Sequence, residues 1–514
     1  MNQYIHMRYL LMISLFLFMP GCTPKKEYPA LVEAVTSLYD SSRAPFYHGV
    51  ASGDPLSNHV IIWTRVTPAD SLPAIQVTWE ISTDTTFATI LQSDTLSTTP
   101  ARDYTVKVDV PGLAPDTYYY YRFKALHTSS PIGRTKTTPV GSRDSVSFAV
   151  VSCSNWEWGY FNAYALIADK PVDAVLHLGD YIYEYGTGRY GDTTIGRFNL
   201  PPYEIVSLQD YRTRHSLYRL DAGLQKMSAA HPFIAIWDDH EVANNTFKSG
   251  AQNHQPDKEG DFFARRDAAR KAYYEWIPIR ENDKHYRSFS FGQLAKLIML
   301  DERLEGRDEP PATPDDAQQQ RSMLGEEQLN WLFENLKTDA HWKVIGNQVI
   351  FSDIDLRAVY PKMPRNLDAW DGYLAEKNTI KQFILQNKLK DIVFITGDTH
   401  AAWGIEVATD VGKTYNPKTS AGAFAIEFGT TSVSSANDNE YRSTDTVRLM
   451  EQTLLANNPH IKYLNDRDHG YLILTLTPDN ARAEYFSVET LRQPDNRERL
   501  EKTLVAKRGT VRLN

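Results

Sequence analysis

The chain has 514 residues, of which 42% are hydrophobic, 23% charged and 12% aromatic. This balance excludes a disordered or collagen-like class, and the length favours two domains or one large domain with an appended module. The formal net charge of -9 argues against a surface that attracts nucleic acid or acidic membranes. We therefore expect no specific nucleic-acid-binding module.

The first 22 residues have the features of an export signal. Arg8 precedes an apolar run at 9–19 that is too short to span a bilayer. Gly21 and Cys22 then follow, as in a bacterial lipoprotein signal, in which the cysteine becomes the lipidated first residue. We expect an exported protein anchored in the cell envelope, on its periplasmic or surface side, through a lipid on Cys22. The alternatives are a plain signal peptide cut elsewhere and an integral membrane helix.

Residues 23–138 change from irregular to β-rich. The stretch 23–44 predicts a tether and a short helix. Segments with β-strand composition then recur between residues 45 and 138, separated by turn residues, which is typical of an immunoglobulin- or fibronectin-like β-sandwich. Strands are predicted at 60–66, 75–82, 104–110 and 117–125.

Residues 146–490 alternate between strand-like and helical segments, which predicts a layered α/β domain. Residues 248–260 and 303–320 predict surface loops, and 491–514 a C-terminal tail. Strands are predicted at 148–152, 174–178, 233–237, 296–300, 344–351, 392–396, 423–428 and 471–476, and helices at 162–169, 208–227, 262–276, 326–337 and 377–387.

Potential metal ligands follow four of these strands, where layered α/β folds bind their ligands. A single Asp after a strand is more often a cap or turn residue, but the same pattern at four strands predicts one cluster. Such a cluster stays charged only if cations hold it, and its mixed donors favour a transition metal beside a harder ion such as calcium. The residues are Cys153, Asp180, Asp238, Asp239, His240, Glu241, Asp398 and His400.

Cys153 and Tyr183 each allow a second interpretation. By residue type alone, a single thiol left after lipidation of Cys22 is typical of a buried core cysteine, but its place at a strand end favours a ligand. Tyr183 lies three residues after Asp180, on the same face of a turn, and a tyrosinate can bind ferric iron. Packing is the alternative for one tyrosine among 29.

Several segments resemble the alkaline phosphatase D (PhoD-like) family of metallophosphoesterases. The stretch 46–68 is similar to the start of that family's N-terminal β-sandwich. The resemblance implies an α/β fold, a four-layered metallophosphoesterase-type sandwich with two central β-sheets flanked by helices, preceded by the smaller β-sandwich. The catalytic segments are VVSCSNWEWGYFNAY from Val150, HLGDYIYEYG from His177, IWDDHEVANN from Ile236, MLDERLEGRD from Met299 and ITGDTHAAWG from Ile395.

The resemblance also implies roles for individual residues. It implies catalytic roles for His240 and Asp239, with His240 steadying the phosphoryl oxygens or protonating the leaving group. It implies a ferric ion held by Cys153, Asp180, Tyr183 and His400, and a calcium ion held by Asp180, Asp239 and Asp398, with other divalent metals as alternatives. Asp238, Glu241, Asn244 and Asn245 resemble residues that support the ligands, and Asp301 and Arg303 are assigned to structural pairing or substrate contact.

The expected activity is hydrolysis of phosphate monoesters, diesters or both by a metal-activated hydroxide. One alternative is a phosphodiesterase or phospholipase acting on glycerophosphodiesters, lipids or nucleic acid. The other is a non-catalytic surface binding protein. The expected partners are a small-molecule or lipid phosphate ester and, through the anchor, a membrane. We expect a monomer.

Overall fold

The structure is a computed structural model that describes residues 28–514. The predicted signal peptide and Cys22 lie outside this range. Among the described residues, no helix combines the length and the apolar character that a membrane span requires. Two short 3-10 turns, Thr36–Leu38 and Ser41–Arg43, occupy the place of the predicted short helix.

The first part of the described chain is built from short strands, and the predicted strands there agree with the structure to within one residue at each end. They are β1 (Val50–Gly53), β2 (Val60–Arg65), β3 (Ile75–Ser82), β4 (Gln92–Thr98), β5 (Thr105–Val110), β6 (Tyr118–Ala125), β7 (Thr128–Ser129) and β8 (Gly133–Lys136).

The remaining strands alternate with helices. The strands are β9 (Val146–Val151), β10 (Ala174–His177), β11 (Pro232–Ala235), β12 (Thr246–Phe247), β13 (Gly250–Ala251), β14 (Arg287–Phe291), β15 (Ala295–Met299), β16 (Trp342–Asn347), β17 (Ile392–Thr396), β18 (Ala402–Ala408), β19 (Ala423–Gly429), β20 (Ile461–Asn465), β21 (Gly470–Leu476), β22 (Asn480–Val488) and β23 (Glu498–Lys507). The helices are α1 (Asn162–Ile167), α2 (Leu208–Tyr218), α3 (Ala222–Ala230), α4 (Pro256–Glu259), α5 (Phe262–Trp276), α6 (Gly325–Leu336), α7 (Leu374–Gln386) and α8 (Thr444–Asn457).

The first large sheet joins the N-terminal segment to the rest of the chain. Nine of the described strands follow one another in the order β23-β22-β21-β9-β10-β11-β1-β2-β5. Strand β1 pairs in parallel with β11, and the approach is so close that a Cβ on Gly53 would lie 2.5 Å from the carbonyl oxygen of Phe233. The N-terminal strands therefore do not form a separate two-sheet unit, because β1, β2 and β5 extend this sheet while β3, β4, β6, β7 and β8 form another.

The second large sheet has the order β14-β15-β16-β17-β19-β18-β20 among the described strands. Its inner face packs against the first sheet through one apolar core, to which Val150, Leu176, Leu297 and Ile395 contribute. Helices α1, α2, α3 and α5 cover the outer face of the first sheet, and α6, α7 and α8 cover that of the second. Burial of apolar surface in these three cores is the main source of stability.

The elements predicted at 208–227, 344–351 and 491–514 differ from the structure, as does the loop predicted at 248–260, which contains β13 and α4. The helix predicted at 208–227 is two helices, because Asp221 caps a new one by accepting a hydrogen bond from the backbone N–H of Leu224. The strand predicted at 344–351 ends at Asn347, after which buried carboxylates take the backbone N–H groups. The stretch predicted as a tail contains β23, which pairs with β22 along its length.

A buried histidine in the first sheet's outer core makes stability depend on pH. Burial lowers the pKa of His215 to about 3, and neither ring nitrogen has a hydrogen-bond partner among the described residues. The unfolded chain binds a proton below the ordinary pKa of about 6.5, so the free energy of unfolding falls as the pH drops from 6.5 towards 3, by at most about 1.4 kcal/mol per unit from this group.

The variant His215→Phe is expected to lose this contribution while keeping the ring contacts to Trp276 and Tyr181. Urea unfolding at pH 7 and pH 5 measures it. The difference between the two pH values should be smaller in the variant than in the parent protein. An unchanged difference would show that His215 does not titrate on unfolding.

Candidate active site

The residues predicted at the strand ends lie together at the edge where the two large sheets meet. The end of β9 reaches the end of β19, since Ser152 bridges to Ser432 and the backbone N–H of Val433 donates to Ser152 at 2.9 Å. Three groups of potential ligand atoms result, and within each group the atoms lie within 4.8 Å of one another. The groups are Cys153, Asp180 and His400; Asp180, Asp239 and His240; and Asp238, Asp239 and Asp398.

The backbone at this edge is strained at the residues that carry the donors. Cys153, Asp180, Asp398 and His400 all have positive φ, between 55° and 61°. A non-glycine residue pays roughly 1–3 kcal/mol in this region, and such residues cluster at functional sites. Gly179 is required for a different reason, because a Cβ there would lie 2.3 Å from the Cβ of Asp238. The loops after β10 and β11 can therefore approach closely enough to share ligands.

Glu241 ties these two loops together. Its buried carboxylate accepts hydrogen bonds from the backbone N–H groups of Asp180 at 3.0 Å, Tyr181 at 2.5 Å and Asp238 at 2.7 Å. Burial raises the pKa of Glu241 to about 7, although these hydrogen bonds act in the opposite direction. The side chain orients ligands and is not placed in any of the three ligand groups.

His400 presents one particular nitrogen to the cluster. Its Nδ1 donates to the carbonyl oxygen of Ala436 at 2.7 Å, which leaves Nε2 as the acceptor. Nε2 lies 3.4 Å from the hydroxyl of Tyr183, and that hydroxyl donates to Asp180 at 2.9 Å and accepts from Ser435 at 2.6 Å. Burial lowers the pKa of His400 to about 4, so the imidazole is in the neutral form that binds metals.

The chemistry of the donors fits metal ions. Burial, and then the charge of Asp180, raise the pKa of the Cys153 thiol and of the Tyr183 phenol well above their ordinary values, so both become anionic ligands only beside a cation. Burial likewise raises the pKa of Asp398 to about 7 and that of Asp238 to about 8. The buried Oδ2 of Asp238 and Oδ1 of Asp239 have no hydrogen-bond partner among the described residues, although Nη2 of Arg303 lies 3.3 Å from the latter as an ion pair. Cations would satisfy these oxygens and keep the group ionised.

Glu184 holds His240 and was not predicted from the sequence. Its buried Oε2 lies 2.7 Å from Nδ1 of His240, and Oε1 accepts from the backbone N–H of Asn244 and from Asn253, each at 2.8 Å. Burial acts to lower the pKa of His240, but the carboxylates of Glu184, Asp239 and Asp180 outweigh it and raise the pKa well above its ordinary value. The sequence feature that could have indicated Glu184 is its position directly after Tyr183, as the one carboxylate in the apolar and aromatic stretch 181–185.

We expect Glu184→Gln to lower kcat roughly 10- to 100-fold with little change in KM. A glutamine carries no negative charge, so His240 loses the partner that raises its pKa, and Nε2 loses the proton that it would donate. Steady-state kinetics on a nitrophenyl ester measure this. Glu204→Gln is the matched control, because Glu204 also accepts from Asn253 but does not contact His240. A parental kcat in Glu184→Gln would remove Glu184 from the site.

Asn244 and Asn245 order the loop that follows the ligands. Both side-chain amides donate to Oε1 of Gln252 at 2.9 Å. The backbone N–H of Asn245 donates to Oδ2 of Asp239 at 2.5 Å. These contacts direct the other oxygen of Asp239 into the cluster.

The contacts of Asp301 and Arg303 are those of structural pairing. Asp301 accepts from the indole of Trp237 at 2.9 Å and from the backbone N–H groups of Arg303 and Leu304. The Arg303 side chain is fully buried, so the segment 303–320 does not begin as the surface loop that was predicted. The guanidinium contacts the carboxylates of Asp238, Asp239, Asp368 and Asp398.

The two stacked sheets with a cluster of potential metal ligands at their edge are shared with known phosphoester hydrolases. A family model described as PhoD-like phosphatase matches residues 148–485, and one described as its N-terminal domain matches residues 33–139. The chain is 37% identical over 482 residues to alkaline phosphatase D of Bacillus subtilis (strain 168), covering 90% of this chain and 80% of that protein. It also resembles a solved structure titled "Structure of PhoD", with a TM-score of 0.81, 36% identity and 92% of each chain covered.

The chain therefore belongs to the PhoD-like phosphatase family. It is a phosphoric ester hydrolase.

Proposed function

We propose that the site uses a ferric ion held by Cys153, Asp180, Tyr183 and His400. The supporting observation is the separation of donor types. A thiol, a phenol and an imidazole gather on one side of Asp180, and these donors suit a strongly Lewis-acidic transition metal.

The second part of the proposal is a calcium ion held by Asp180, Asp239 and Asp398. Carboxylate oxygens predominate on this side of Asp180, as a hard cation prefers. Arg303 contributes charge here, because Nη2 lies 3.3 Å from Asp239 and 3.2 Å from Asp398. The guanidinium thus neutralises part of the negative charge of these carboxylates, and the metal ion has to neutralise only the rest.

The roles of the side chains follow from their contacts. When bound, the metals would supply Lewis acidity that polarises the ester and lowers the pKa of a water molecule. His240 is fixed through Nδ1 by Glu184, so Nε2 is left to donate to a phosphoryl oxygen or to the departing alkoxide. Glu241 and Arg303 keep the carboxylates in place.

We further infer that the two large sheets and their covering helices are the four-layered metallophosphoesterase sandwich. Residues 146–490 are its catalytic unit, and the N-terminal β-rich unit, 45–138, adds β1, β2 and β5 to the edge of the first sheet, whose other edge is β23. We also propose an exported monomer, lipid-anchored at Cys22. A Cys22→Ala variant that stays with the membrane fraction would contradict the anchor, and sedimentation of the soluble form would test the monomer.

Elemental analysis beside an esterase assay tests the proposed function. The purified protein should contain iron and calcium and should release nitrophenol from the monoester nitrophenyl phosphate, from bis(nitrophenyl) phosphate, or from both. Faster turnover of the bis-ester would identify a phosphodiesterase. Asp398→Asn should be inactive yet folded by circular dichroism. A metal-free parent protein, or full activity in Asp398→Asn, would overturn the proposal.

A further inference from the structure

Four aromatic side chains form a continuous strip beside the candidate active site. In order, the aromatic strip consists of Tyr185, Tyr190, Trp158 and Tyr441. Successive ring centroids are 5.8, 5.9 and 6.0 Å apart, in edge-to-face arrangements. Such spacing is direct ring contact.

The strip begins at the ligands and ends at the surface. The ring of Tyr185 lies 5.4 Å from that of His240, and the hydroxyl of Tyr190 lies 3.4 Å from Nδ1 of His400. Tyr185, Tyr190 and Trp158 are half-buried, and Tyr441 at the far end is 62% exposed. The strip therefore leads from the proposed position of the phosphate to solvent.

Packing of the core does not account for these rings. None of the four belongs to the hydrophobic cores formed by the described residues, whereas neighbouring Trp156 and Tyr181 do. The strip is assembled from separate loops at the same sheet edge. Tyr185 and Tyr190 follow β10, Trp158 follows β9, and Tyr441 follows β19. Convergence of loops on a surface next to a catalytic group is typical of a substrate site.

We propose that the aromatic strip is the subsite for the organic group of the phosphate ester and that it takes a planar aromatic ring, such as an aryl group or a nucleobase. This assignment rests on the proposed function of the site. The four side chains offer ring faces, an indole and hydroxyls but no charge, so they recognise a ring by stacking and leave the anionic phosphate to the ligand cluster. The phosphoesters preferred by this protein are therefore those with an aromatic group near phosphorus.

Paired inhibitors test this assignment without depending on which ester is turned over. Phenylphosphonate and methylphosphonate carry the same anionic head and differ in the ring. The parent protein should bind phenylphosphonate more tightly, and Trp158→Ala should reduce the preference about tenfold. Tyr185→Ala, at the end of the strip nearest His240, should reduce it in the same direction, and it keeps the test valid if Trp158→Ala does not fold.

Phe263→Ala is the control, because Phe263 is an exposed ring, 45% accessible, on α5 and outside the strip. Its inhibition ratio should equal that of the parent. If the parent hydrolyses no nitrophenyl ester, the proposed function fails. If the parent is active but both strip variants keep the parental inhibition ratio, the proposed function stands and the aromatic subsite is wrong.

Discussion

Replacing Asp180 by asparagine is expected to abolish hydrolysis, with a fall in kcat/KM of at least about 10³-fold. Asp180 belongs to two of the three ligand groups, so one substitution weakens both proposed metal positions. Its Oδ2 also accepts from the Tyr183 hydroxyl at 2.9 Å, so the same change disturbs a second ligand. Metal content should fall together with activity, and elemental analysis of the purified variant measures this.

The control for Asp180→Asn is Asp94→Asn, an exposed carboxylate on β4. It should retain parental activity and metal content. Thermal unfolding monitored by circular dichroism shows whether Asp180→Asn still folds. A folded variant with full metal content and more than a tenth of the parental kcat/KM would rule out Asp180 as the shared ligand.

Replacing Arg303 by methionine should produce the largest loss of stability, about 3–5 kcal/mol in the free energy of unfolding. The guanidinium is fully buried and contacts Asp238, Asp239, Asp368 and Asp398, so its removal leaves buried carboxylates without their cation. Arg303→Lys should restore only part of the loss, because a single ammonium group cannot contact several carboxylates at once as the forked guanidinium does.

Urea unfolding with added calcium and with a chelator separates the contribution of the Arg303 guanidinium to stability from that of a bound metal ion. The defect of Arg303→Met should be larger in the chelator, since bound metal compensates part of the missing charge. The matched control is Arg357→Met, whose side chain is 74% exposed and pairs with Asp355, and it should change stability by less than about 1 kcal/mol. Equal defects with and without calcium would show that Arg303 does not act on the ligand carboxylates.

The ligand cluster could be predicted because each of its residues is marked by the sequence immediately around it. Cys153, Asp180, Asp239 and His400 each lie in the loop that begins where an apolar strand ends, and the carboxyl ends of parallel strands meet at one edge. Glu184 could not be placed in this way, because its partner His240 is 56 residues away and no strand end marks it. Arg303 was placed near the site only through the family resemblance, because its segment has a loop-like composition although the side chain is buried.

The outermost elements escaped prediction for a physical reason. Strand β23 is mostly half-exposed, with only Leu504 and Ala506 buried, so it lacks the apolar run that marks a central strand. Helix α8 buries only Val447, Glu451 and Leu454, and it leaves Leu449 exposed. Strand β23 is held by backbone pairing and helix α8 by docking onto a sheet. Neither interaction leaves a hydrophobic pattern in the local sequence from which the element could be predicted.

The parallel contact between β1 and β11 makes the two parts of the chain inseparable in practice. A protein cut after residue 139 would lose the neighbour of the strand that leads to Asp238, Asp239 and His240. The unpaired peptide groups of β11 would then be free to recruit strands from other molecules, and such exposed pairing positions promote aggregation. An isolated catalytic fragment should therefore be recovered as insoluble material, with its failure arising from association rather than from missing catalytic groups.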